Sequence, residues 1–216
     1  MGTRVETNEL ILEAAESLFL ERGLLDVSME DIALRASCTR RNLYRYFETK
    51  ETLSLAVLRK LLAPWNDFQT ETFRSLSASG LSGRQELEAF LRILAGYLEE
   101  QKSLLRFAAE YDFLFRDRLS LPLDPSAEES LFADFHVTED LLSQILIRGE
   151  EDGSLRLPTP PETLVPTITT VFWSLGQRVA LRENLIALEF GVKAMELVNA
   201  QIQLLVLALS AEPKTK

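Results

Sequence analysis

The chain has 216 residues, 46% of them hydrophobic and 26% charged, with a formal net charge of −10. That length and usage fit a globular protein with a sizeable core, and a single cysteine excludes an intramolecular disulfide framework. "MGTRVETNEL" lacks the apolar stretch of a signal peptide, Glu6 stands where a myristoylation motif needs Ser or Thr, and "LLVLAL" (204–209) is too short to span a bilayer, so the expectation is a cytoplasmic protein with no membrane partner.

In chain order, glycine and proline are sparse within long periodic segments and β-branched runs are rare, which predicts an all-α fold. Ile11, Ala14, Ala15, Leu18 and Phe19 follow the spacing of an amphipathic helix that stops at Gly23. Ser28 followed by Asp31 predicts a helix start, with Ile32 and Ala33 on the buried face. "ASC" (36–38) predicts a turn, and Thr39 the N-cap of a second short helix through Tyr46. Thr49 then caps a fourth helix carrying Leu53, Ala56, Val57 and Leu61 towards Pro64, where a proline kinks or restarts a helix. Residues 77–83, 120–126 and 149–162 read as connections. Between them lie helix-periodic segments over about 84–101, 102–118, 127–149, 162–182 and 185–210.

An acidic chain is repelled by phosphate, yet the charge is uneven. Residues 1–60 carry a net charge of −1 and residues 61–216 carry −9, while five cations from Arg35 to Lys50 face one anion, Glu48. Two short helices joined by a three-residue turn form a helix-turn-helix, whose second helix enters the major groove and meets base edges with its N-terminal residues. Arg40, Arg41 and Asn42 fill that first turn, and Arg and Asn have the geometry to grip guanine and adenine bidentately. Tyr44, Arg45 and Tyr46 follow as phosphate- or base-touching groups, and Lys50 opens the next helix where its ammonium faces a phosphate.

"ILEAAESLFLERG", "SMEDIALRA" and "LYRYFETKETL" together resemble the DNA-binding segment of the tetracycline-repressor-like (TetR-like) transcriptional regulators. The chain departs from that pattern at Ser37 and Cys38, where the family often has Gly-Val, and at Arg41, where many members have glycine. The resemblance implies DNA contacts at Ser28, Thr39, Arg40, Arg41, Asn42, Tyr44, Tyr46 and Lys50, with Leu43 and Phe47 pointing inward. It also implies two parts: a three-helix helix-turn-helix DNA-binding domain over residues 1–50, with the start of the fourth helix, and a helical ligand-binding and dimerisation domain over 51–216.

In the second part, Leu164, Ile168, Val171, Leu175, Val179, Leu188, Met195, Val198, Ile202 and Leu205 lie on broad apolar faces. They are expected to form a four-helix homodimer interface, the alternative being burial within their own domain. Phe107, Tyr111, Phe115, Phe132, Phe135 and Trp173, with His136 beside them, are candidate walls of a pocket for an apolar or aromatic small-molecule effector, and are equally readable as core. Glu110 and Asp112 there favour a cationic ligand. One histidine and one cysteine make no metal set, and no nucleophile triad or phosphate loop is present, so neither cofactor nor catalysis is expected. Cys38, ahead of a helix and near Arg40 and Arg41, is open to two readings: a thiolate sensor or a packing residue in place of valine. The expected function is a ligand-responsive repressor that binds a palindromic double-stranded DNA operator as a homodimer and is released by a small molecule. The alternatives are a helical protein-interaction module and a hydrophobic-ligand-binding protein without a DNA role.

Overall fold

The computed structural model describes residues 4–116 and 136–211, and the regular structure among them is helical. The helices are α1 (Arg4–Arg22), α2 (Met29–Arg35), α3 (Arg40–Tyr46), α4 (Lys50–Ser77), α5 (Gly83–Glu100), α6 (Lys102–Phe115), α7 (Val137–Glu151), α8 (Pro161–Phe190) and α9 (Ala194–Leu209). Local signals set most boundaries. Gly23 ends α1 at φ 84°, its N–H donating to the Phe19 carbonyl. Ser82 and Gln85 close a capping box on α5.

Pro64 lies inside α4 and does not end it. A kink at Arg182 (φ −128°, ψ 15°) divides α8 beside the break expected near 183–184. The chain turns again at Gly191, a left-handed C-cap at φ 70°, because glycine alone enters that region without a Cβ clash. Leu188, Val192 and Met195 were expected on one helix; the turn leaves Leu188 on α8 and Met195 on α9.

The chain forms two compact units. One holds α1 to α3, α4 as far as Ala63, and α6 from Ser103, so it includes more than the residue 1–50 segment read from the sequence. Its core is built on Ile11, Ala15, Leu18, Leu24, Ile32, Leu43, Leu53 and Val57, all 2% exposed or less. Phe107 of α6 closes that core, its ring centroid 5.6 Å from that of Phe19.

The other unit holds α4 from Pro64, α5 and α7 to α9. Here α5 and α7 touch backbone to backbone: a Cβ on Gly83 would lie 2.2 Å from the Gly149 Cα. Beside that crossing Arg148 donates to both carboxylate oxygens of Glu86, at 2.6 and 3.1 Å, and its guanidinium lies 4.9 Å from the Phe73 ring centroid. Among the described residues no single helix is long and apolar enough to cross a membrane; α8 and α9 reach that composition only together, bent by 92°.

Candidate nucleic-acid interface

The reading edge is assembled from caps. Ser28 begins α2 in a capping box: its Oγ accepts from the Asp31 N–H, and Asp31 accepts from the Ser28 N–H and hydroxyl. Those bonds hold the Asp31 carboxyl below its ordinary range. Ser37 turns the chain at φ 51°, with the Cys38 N–H reaching the Ala33 carbonyl and the Ser37 N–H the Leu34 carbonyl, the double bond of a Schellman turn. Thr39 caps α3, accepting from the Asn42 N–H at 3.1 Å.

This places α3 with one face in and one face out. Leu43 is fully buried and Phe47, just past the helix, is buried. Arg40, Arg41, Tyr44 and Arg45 are exposed, and Asn42 and Tyr46 are half-buried beside them. Arg40 lies over the Tyr44 ring, 5.6 Å from its centroid, and pairs with Glu30 at 3.8 Å. The Arg40 side chain is 63% exposed in that position, so its guanidinium remains accessible to solvent.

Two expected contacts are otherwise engaged. Lys50 is half-buried, and its Nζ donates to the Leu24 carbonyl. Burial pushes its pKa down, opposed by the charges of Asp26, Glu110 and Asp31. The Ser28 hydroxyl points its proton at Asp31. Cys38 is half-buried, and burial raises its thiol pKa. That environment disfavours a thiolate and agrees with packing in the turn.

The described pocket candidates are divided between the two units. Phe107 is core of the first unit. The Tyr111 ring lies tilted 5.0 Å from that of Phe115 in that same unit, its hydroxyl pKa raised to about 12 by burial, then by Glu51 and Asp112. Glu110 accepts from the Leu24 N–H, which commits the carboxylate expected to meet a cationic ligand. His136 is exposed at the head of α7 and Trp173 half-buried on α8, both in the second unit. Phe132 and Phe135 lie outside the described residues.

The second unit gathers a different aromatic group. Tyr97 lies 4.2 Å from Phe68 and 5.6 Å from Trp65. Next along α4, the fully buried Gln69 donates to Asn66 and accepts from the Thr138 hydroxyl at 2.7 Å. The neighbouring Glu139 Oε2 is buried with no hydrogen-bond partner. Sequence reasoning passed over these residues; the signal for them was Gln69 standing on the apolar face of α4.

Of the residues expected at a dimer interface, Leu164, Ile168, Val179, Val198 and Ile202 are buried among their own unit's helices. Leu175, Met195 and Leu205 are half-buried. Val171 and Leu188 are exposed, 41% and 81%, and the same helices also expose Leu181, Leu185, Leu204 and Leu207.

Residues 11–57, from α1 into α4, match the family model for bacterial regulatory proteins of the tetR family. The repressor DhaR of Mycobacterium sp. (strain GP1) is 22% identical over 182 residues, 84% of this chain and 86% of that protein. The repressor KstR2 of Rhodococcus jostii is 37% identical over 90 residues, 42% of this chain and 40% of its own. Among solved structures, the TetR-family repressor FadR of Thermus thermophilus, in complex with lauroyl-CoA, superposes with a TM-score of 0.63 at 25% identity, covering 97% of this chain and 98% of that one. A capped helix-turn-helix with an exposed cationic edge, a matching family segment and full-length structural likeness lead to one conclusion: residues 11–57 are a DNA-binding segment of the bacterial tetR regulatory family, on a chain similar over its length to TetR-family transcriptional repressors.

Proposed function

We propose that the chain is a ligand-responsive repressor that binds a palindromic operator as a homodimer and leaves it when a small molecule occupies the C-terminal helices. The observation that carries the reading is the outward face of α3, where Arg40, Arg41, Tyr44 and Arg45 are exposed around a buried Leu43. Side chains there can reach base edges and phosphates together, with Asn42 in the first turn. Exposed Leu188, Leu204 and Leu207 support dimerisation, since large apolar groups clustered on two helices mark an interface. Two copies of α3 at fixed separation read a two-fold symmetric site.

The effector reading rests on the Trp65, Phe68 and Tyr97 group with buried Gln69, an apolar setting with few polar groups. FadR's complex with lauroyl-CoA supports an effector with a long apolar part. By linkage, an effector that releases the operator binds the DNA-free protein more tightly by the same factor.

The test is selection of bound duplexes from a random DNA pool, with an Arg40→Ala/Arg41→Ala/Tyr44→Ala protein alongside. Enrichment of a palindrome that the triple variant does not retain is the expected result. A folded wild-type dimer that enriches nothing at low salt contradicts the reading and returns the chain to a protein-interaction role.

A further inference from the structure

We propose that Glu110 on α6 governs whether Lys50 grips DNA: together with the Leu24 carbonyl it holds the ammonium inward, away from the phosphate backbone. The inference rests on the DNA-binding reading above and adds a control element to it.

The geometry begins where α1 ends. Gly23 turns the chain at φ 84°, and the backbone of the next residue, Leu24, is held at both its N–H and its carbonyl. The Leu24 N–H donates to Glu110 Oε2, and the Leu24 carbonyl accepts from Lys50 Nζ. Gly23 makes room for this arrangement: a Cβ there would lie 3.2 Å from Glu110 Oε1. The backbone of one residue therefore ties the end of α1 to α6 and to the first residue of α4.

Three carboxylates act on the Lys50 charge: Asp26, Glu110 and Asp31. Asp31 is already bound to Ser28, and Asp26 and Asp31 both belong to the segment leading through α2. Glu110 comes from 86 residues further along the chain than Leu24. It is the one of the three that lies outside the continuous segment from α1 to α4, so its charge can be removed without changing a residue of that segment. A phosphate contact by Lys50 requires the ammonium to leave the Leu24 carbonyl and this negative field, so Glu110 competes with DNA for the same cation. When α6 withdraws, the lysine is released towards the backbone.

The test uses full-length protein and a mixed-sequence DNA duplex, whose phosphates suffice because the contact carries no sequence information. Binding is followed by fluorescence anisotropy across a salt series for wild type, Glu110→Gln, Lys50→Met and the double variant. Glutamine keeps an oxygen for the Leu24 N–H and removes the charge. Glu110→Gln is expected to bind about 3- to 10-fold more tightly, with a salt slope steeper by up to ~0.9, the value of one added phosphate contact. Lys50→Met in that background is expected to abolish the gain, while in the wild-type background it lowers the slope by clearly less than ~0.9.

A Glu110→Gln protein that binds no better than wild type, or a gain that survives Lys50→Met, overturns the proposal. So does a Lys50→Met slope change of a full contact in wild type, a result that stands even where Glu110→Gln does not fold. Absence of salt-dependent binding by the wild type defeats the DNA reading itself and is recognisable as such.

Discussion

Ser37 bears the conformational cost of the turn between α2 and α3. Its φ of 51° lies in the left-handed region, where an ordinary side chain costs roughly 1–2 kcal/mol. Ser37→Gly relieves that clash but raises the entropy of the unfolded chain, so a net gain of about 0.5–1 kcal/mol is expected. The shift is readable as a higher denaturant midpoint; an unchanged or lower midpoint shows that the serine hydroxyl contributes what the backbone loses. Single residues also show what was legible in the sequence. Ser28, Thr39 and Gly23 announced their caps because a cap is decided within four residues of chain. The inward pose of Lys50 was not legible, since Glu110 and the Leu24 carbonyl meet it only through tertiary packing.

The reading head was the most legible part at the level of elements, because each short helix carries its own start, stop and apolar face. The placement of α6 was not. Its aromatic run reads equally well as a pocket wall or as core, and only the meeting of Phe107 with Phe19 shows that Phe107 is core. The same holds for α8 and α9, where apolar residues occur nearly all round, so periodicity cannot separate buried Ile202 from exposed Leu204. The crossing of α5 and α7 depends on two glycines whose closeness no local pattern reveals. Because a Cβ on Gly83 meets backbone and not a movable side chain, Gly83→Ala forces the helices apart. A loss of roughly 1–3 kcal/mol follows from overpacking of this kind. Thermal unfolding of the variant checks it, and a melting temperature equal to wild type would show that the helices separate at no cost.

At the scale of the whole molecule, the acidic surplus lies on residues 61–216 while the cations gather around α3. Phosphate is attracted to the cationic segment and repelled by the acidic remainder of the chain. The proposed dimerisation is testable at exposed Leu204 and Leu207, 62% and 74% accessible in the single chain. Leu204→Glu/Leu207→Glu is expected to sediment as a monomer with its helical content retained, because neither side chain supports its own unit's core. A variant that remains a dimer moves the interface elsewhere.

The most direct test of the central claim, that two copies of α3 read one symmetric DNA site, is a hydroxyl-radical footprint on a duplex recovered by selection. Two protected backbone patches related by the palindrome's two-fold axis are expected, their centres separated by about one helical turn, ~34–36 Å, or somewhat more. Both patches vanish with Arg40→Ala/Arg41→Ala/Tyr44→Ala. A single asymmetric patch, or protection that survives loss of those three side chains, contradicts that claim.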